Sequence, residues 1–495
     1  MQLVSLSFLI FVLAAITVYF LLPKKVRYIW LLAASWFFYY RLSGKLLILL
    51  IFVTLVTYAA GMLMGDFEES DKTQGKNKRK GIMVSGVVIL VLLLGFFKYT
   101  GFMLDTVKSL QAFLGLEQAG FVVSIALPVG VSFYVFQAIG YIVDCYKGKI
   151  SVEKNYLKLA LFISFFPNVM SGPIERAGNM LPQFNEPRSF DYDRMRDGLL
   201  LMLWGYFQKI IIADRLSVIV NSVYDSYESY SGTLLFIATV FYTFEIYCDF
   251  AGYSNIAVGV SKIMGIDIMQ NFRQPYLSAS IPEFWRKWHI SLSSWLRDYL
   301  YIPLGGNRKG YGRKLLNIMI VFAVSGLWHG AAWTFVVWGL LHGLYQVVGS
   351  VLGPSRDKLV EALKIDRKSF SHILLKILVT FMLVNIGWVF FRAPSFGVAA
   401  YVLTHMWKPT LWVLTDGTLF TLGLSAADVR LLVLSLIALL VVDILNTRGI
   451  VIRDLLTKQS LWLRWVVYIA AFLFVVTCGI WGPGYDAASF IYSSF

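Results

Sequence analysis

Leu327-Trp328-His329-Gly330-Ala331-Ala332-Trp333 stands inside an apolar run from Ile318 to Leu341. About 18 or more consecutive apolar residues suffice to cross a bilayer. This run nevertheless carries an imidazole, which is costly in hydrocarbon unless it faces protein interior or a wet cavity. Histidine also takes up and returns a proton near neutral pH. The run therefore reads as a membrane span, and His329 as a candidate for chemistry.

Similar runs recur along the 495 residues. The chain is 58% hydrophobic and 15% charged, with a mean hydropathy of +0.67. A soluble chain of this length is far more polar. Candidate spans are 3–22, 28–42, 46–65, 82–104, 120–141, 157–172, 196–213, 231–263, 315–328, 331–350, 371–391, 397–413, 429–446 and 463–481. The shorter ones suit half-spans or interfacial helices. The expectation is an all-α polytopic integral membrane protein with roughly 11 to 13 membrane helices, some re-entrant or interfacial. No long polar segment could fold apart, so 1–495 is expected to be one domain. Segment 3–22 lacks a basic leader and a small-residue cleavage site, and reads as a retained first helix.

The net charge of +15 is better explained by topology than by nucleic acid, because no basic soluble domain or binding motif is present. Lys24, Lys25 and Arg27 follow the first span. Lys72, Lys76, Lys78, Arg79 and Lys80 follow the third, and Lys147, Lys149 and Lys154 follow the fifth. The intervening loops hold only Arg41 and Lys45, or Lys108 beside Asp105 and Glu117. The positive-inside rule then puts the N-terminus outside and the basic loops in the cytoplasm.

The densest basic region runs from Arg273 to Lys314 and includes Arg286, Lys287, Arg297, Arg308, Lys309 and Arg313. Phe284, Trp285, Trp288, Trp295, Tyr299 and Tyr301 interleave with these charges. That alternation suits an interfacial helix with rings at headgroup depth. The region reads either as a cytoplasmic loop that grips anionic lipid or as a rim that also attracts a phosphorylated donor. Arg286, Lys287 and Arg297 are the candidates for donor binding.

Cys145, Cys248 and Cys478 show no C-x-x-C spacing and argue against a disulfide framework or a zinc site. None of His289, His329, His342, His372 and His405 stand three or four apart, so no metal is expected. No Walker or Rossmann glycine pattern, Gly-x-Ser-x-Gly or internal repeat is evident. His289 lies in Trp285-Arg286-Lys287-Trp288-His289-Ile290-Ser291. If 283–301 is broken or re-entrant, the rings of His289 and His329 converge on one cavity. A helix through His329 puts Ser325 and Trp333 on its face, with Trp328 beside it. These three, and the intramembrane Asp249, are the candidate cavity-lining residues. Asp249 either pairs with a cation or lines the path.

At this point the sequence resembles a known family. DFAGYSNIAVGVSKIMGI (249–266), NFRQPYLSASIPEFWRKWHISLSSWLRDYLYIPLGGNR (271–308) and GLWHGAAWTFVVWGLLHG (326–343) are similar to membrane-bound O-acyltransferases. LPVGVSFYVFQAIGYIVDCYKG (127–148) and FFPNVMSGPIERAG (165–178) resemble their bacterial branch. WGYFQKIIIADRL (204–216), GWVFFRAPS (387–395) and FIYSSF (490–495) most resemble the acyltransferases of alginate O-acetylation. The resemblance is collinear along essentially the whole chain.

The resemblance implies a many-helix fold around a central funnel, in a bacterial inner or plasma membrane. It implies that His329 matches the catalytic histidine and His289 the second family position. It implies acetyl-CoA as the acyl donor substrate, with no tightly bound cofactor. The acetyl group would pass to an extracytoplasmic partner of the SGNH type for O-acetylation of an exported or cell-wall polysaccharide. A related branch moves D-alanine from a carrier protein toward teichoic acid, and its members are shorter, which favours acetyl here. A non-catalytic transporter or scaffold is the alternative of another class. Repeats would favour the transporter.

Overall fold

The computed structural model describes residues 3–66, 74–116, 125–230 and 232–481. Lys72, Glu117 and the 490–495 segment, used above, lie outside the described residues. Every regular element among the described residues is helical. Six helical segments are long and apolar enough to cross a membrane, and Leu6–Leu21, Val131–Tyr146 and Phe396–His405 are shorter apolar helices. The expected 11 to 13 membrane helices included shorter half-spans and interfacial pieces beside full spans, and the Lys24–Gly65 segment alone holds two helices. Several of the apolar runs are shortened by turn residues or interrupted by charge, and fall below a full span. This is a multi-pass membrane protein.

Expected as one domain, the chain groups into two compact units. One holds 1–199 and 257–269, the other 200–256 and 270–495.

In the first unit, local chemistry sets the helix ends. Ser5 caps Leu6–Leu21 by accepting the Phe8 N–H, and Asn155 caps Tyr156–Ser164 by accepting from Leu157 and Lys158. In the described part of the candidate span 120–141, residues 125–130 are not helical and the helix begins at Val131, while 120–124 lie outside the described residues. Gly130 stands before it at φ +74°, where a Cβ would lie 1.9 Å from the Val169 carbonyl oxygen. The 157–172 run is helical only to Ser164 and continues as buried turns. Glu175 accepts hydrogen bonds from the backbone N–H groups of Arg176 and Met269 and from Asn179. Arg188 and Arg194 both hold Asp267 at 2.6 Å. Burial would push that carboxyl up, but the two guanidiniums outweigh it and keep it below its ordinary range.

In the second unit, Phe207–Ala213 widens into a π-helical turn that leads directly into Asp214–Asp225. Gly205 and Gly252 let this rod meet the long Gly232–Ile263 helix backbone to backbone. A Cβ on Gly205 would stand 2.6 Å from the Gly252 carbonyl oxygen, and the converse distance is 2.7 Å. Lys209 Nζ lies within the π-helical turn, 2.8 Å from Asp214 and 2.7 Å from Asp249. All three side chains are at most 2% exposed. Asp249 therefore resolves as an ion-pair partner rather than a residue lining a path.

Tyr311–His329 and Trp333–Val351 pack as an antiparallel hairpin. A Cβ on Gly326 would lie 2.3 Å from the Phe335 carbonyl oxygen, and one on Gly339 would lie 2.2 Å from that of Phe322. The apolar run 318–341 is thus not one span. Its helix ends at His329, and Gly330-Ala331-Ala332 reverses the chain.

Candidate functional site

The hairpin tip places His329 as the last residue of its helix, 1% exposed. His289 arrives from a different device. Ser280 caps Ile281–Lys287 by accepting the Glu283 N–H, and Glu283 accepts the Ala279 N–H in return. That helix stops at Trp288, and the next runs Ile290–Leu296. His289 stands between them at φ +42°, in the left-handed region that disfavours most side chains. The kink is pinned by Asn271. Its carbonyl accepts the Ile290 N–H at 2.9 Å, and its side chain bonds Ser254 and Ser291. The expected broken helix is therefore present, and it breaks at the histidine.

The two imidazoles, far apart in sequence, lie 6.1 Å apart between ring centroids. Trp338 at 4.9 Å, Trp328 at 5.0 Å and Phe391 at 5.5 Å surround His329. Phe250 stacks edge-on against His289 at 4.7 Å. These walls exclude water and hold both rings, which favours transfer chemistry over hydrolysis. His342 belongs to the support. Its Nδ1 accepts the Trp285 indole N–H at 3.3 Å, which leaves the proton on Nε2, packed against Gly387.

A cavity of about 1110 Å³ runs up to this shell. Ser325 and Phe322 of the His329 helix line it, as does Ile290 beside His289. The two histidines do not form its wall, as the convergence argument expected. They sit one residue or one helical turn behind it. Trp328 packs against both histidines, is 3% exposed and is not among the lining residues. Trp333 is also misplaced by the sequence argument. The chain reverses before it, so it opens the next helix and is 51% exposed.

Arg286 and Arg297 line the cavity, whereas Lys287 does not and pairs with Glu283 at 2.7 Å. Lys314, Arg356, Lys376 and His372 also line it, and among the described residues no carboxylate does. Sequence reasoning missed Arg356 and Lys376, which come from the segment after the hairpin. The signal for Arg356 was the charge of 353–368, which reads locally as an ordinary polar loop, and that for Lys376 was a lone lysine near the start of the candidate span 371–391. The cavity combines a cationic lining with apolar walls from Ile318, Val321, Leu375, Val379 and Leu383. It suits a ligand with an anionic head and an apolar or extended tail.

Residues 149–393 match the model of MBOAT, the membrane-bound O-acyltransferase family. The protein named probable alginate O-acetylase AlgI from Pseudomonas putida is 36% identical over 399 residues, covering 80% of this chain and 78% of that one. The chain belongs to the membrane-bound O-acyltransferase family. As a family member it is an O-acyltransferase, and a transporter or inert scaffold is set aside. The peptidoglycan O-acetyltransferase of Helicobacter pylori is 33% identical, covering 78% of this chain and 74% of that protein. The teichoic acid D-alanyltransferase of Bacillus subtilis is 30% identical but covers only 44% of this acyltransferase and 57% of its own length.

Proposed function

We propose that this acyltransferase takes an acetyl group from cytoplasmic acetyl-CoA and hands it through the membrane to an extracytoplasmic SGNH-type partner for polysaccharide O-acetylation. The observation that carries the reading is the histidine pair, 6.1 Å apart, directly behind the wall of a cavity lined by five Lys and Arg side chains. The cationic lining suits the donor's phosphates, and the apolar throat suits its pantetheine arm. His329 acts as general base on the acceptor hydroxyl. The hydroxyl oxygen bonds to the thioester carbonyl carbon, and the C–S bond breaks. The sulfur leaves with the proton that His329 received, giving CoA thiol. His289 orients the acceptor hydroxyl. The longer match to O-acetylases than to D-alanyltransferases supports acetyl as the group moved.

The test is release of CoA thiol by purified protein given acetyl-CoA and an acceptor. Turnover only with a D-alanyl carrier protein would replace the donor. Replacing Arg286 and Lys376 together by Gln is expected to raise the acetyl-CoA KM by about tenfold or more, because each charge-assisted bond contributes about 1.5–3 kcal/mol. The effect should shrink as salt rises. An unchanged KM at low salt would remove the donor from this cavity.

The reading also needs the basic rim on the cytoplasmic face. Asn307→Cys should resist an impermeant maleimide in intact cells and react after permeabilisation. Ready labelling in intact cells would reverse the orientation.

A further inference from the structure

Most buried hydroxyls on the long helices of this protein satisfy themselves locally. Thr54, Thr57, Ser164, Thr239, Ser261 and Thr380 each donate to the carbonyl four residues back. This is the usual state of Ser and Thr in apolar helices. Ser325 departs from it. It is 1% exposed, and its Oγ has no hydrogen-bond partner in the protein. Ser435 shares that state but does not line the cavity, whereas Ser325 does. A buried hydroxyl without a partner is destabilising by about 1–3 kcal/mol, so its presence calls for a ligand that completes it.

Its position indicates which atom of the ligand. Ser325 stands one turn before His329 on the same helix face, about 6 Å along the axis. A thioester carbonyl beside Ser325 could accept from its hydroxyl while an acceptor hydroxyl stands between that carbonyl and His329. We propose that Ser325 is a positioning residue whose hydroxyl donates to the carbonyl oxygen of the donor thioester. This rests on the acyl-donor reading given above. As the acceptor oxygen adds to the carbonyl carbon, negative charge builds on that carbonyl oxygen, and the Ser325 bond strengthens. When the C–S bond breaks, the charge leaves with sulfur. Ser325 keeps its proton throughout.

The proposal has an uncommon sign. Removing a hydroxyl that bonds nothing in the fold should leave stability unchanged or raised. Ser325→Ala in the full-length purified protein is therefore expected to lower kcat for acetyl-CoA by about 10²-fold, the scale of one lost oxyanion donor. KM should hold within about twofold, because the bond matters most in the transition state. Thermal unfolding should occur at the same temperature or higher. Ser325→Cys, a weaker donor, should fall between the two. Wild-type kcat in Ser325→Ala overturns the proposal. So does a lowered unfolding temperature, which would show that the fold itself uses the hydroxyl. If the wild type fails to release CoA from acetyl-CoA, the donor reading fails instead. The same variants are then compared on the D-alanyl carrier thioester, whose carbonyl makes the same demand.

Discussion

His329→Ala is expected to lower acyl transfer by about 10²- to 10⁴-fold, the loss that follows removal of a general base. The alanine variant also leaves a void, because four rings stand within 6.1 Å of the imidazole centroid. Large-to-small changes at such sites destabilise by about 2–5 kcal/mol. His329→Gln separates the two effects, since it keeps most of the volume and a polar tip but cannot act as a base near pH 7. Both variants should lose turnover, and the glutamine variant should unfold near the wild-type temperature. A folded glutamine variant with more than about a tenth of wild-type kcat would remove His329 from the base role.

Lys209→Met should produce the largest change in stability. It leaves Asp214 and Asp249 facing one another at no more than 2% exposure, without the ammonium that bonds both. Removing one partner of a buried ion pair destabilises by about 3–5 kcal/mol. Near-complete loss of folded protein in detergent is the expected result, read by size-exclusion and thermal unfolding. The Lys209→Met, Asp214→Asn, Asp249→Asn triple variant should recover much of that loss, because no buried charge is then left alone. Failure of the triple variant to recover would mean that the ammonium does more than balance the two carboxylates.

Hydropathy made the membrane class legible, because bilayer thickness imposes a length on every apolar run. The candidate spans 315–328 and 331–350 part where the chain reverses, although the run 318–341 reads as one span across that point. Gly330, Ala331 and Ala332 are small and weakly apolar, and neither hydropathy nor periodicity marks them as a turn. The tight contact of Gly326 and Gly339 across the hairpin marks the fold there, and it is a three-dimensional fact. His289 and His329 were recognisable as polar exceptions in apolar surroundings. Their distance from the cavity wall was not, since Ser325 and Ile290 intervene only once the helices are packed. Lys209 is a further clue in the sequence. A lysine in the run Phe207-Gln208-Lys209-Ile210-Ile211-Ile212 requires a counter-charge, and Asp249 is an intramembrane carboxylate in search of a cation.

The left-handed backbone at His289 limits which residues natural variation could place there. An L-residue in that conformation carries a strain of about 1–2 kcal/mol, and His, Asn, Asp and Gly bear it best. Val, Ile and Thr are excluded by their branched Cβ, however well their polarity might suit the site. The set of substitutions open to position 289 is therefore short before any demand of catalysis is applied. Two members of that set dissect the residue. His289→Gly frees the backbone and deletes the ring, while His289→Asn keeps the turn and a polar tip. A survey by alanine alone would merge the two contributions, and would credit to chemistry what belongs to the shape of the chain.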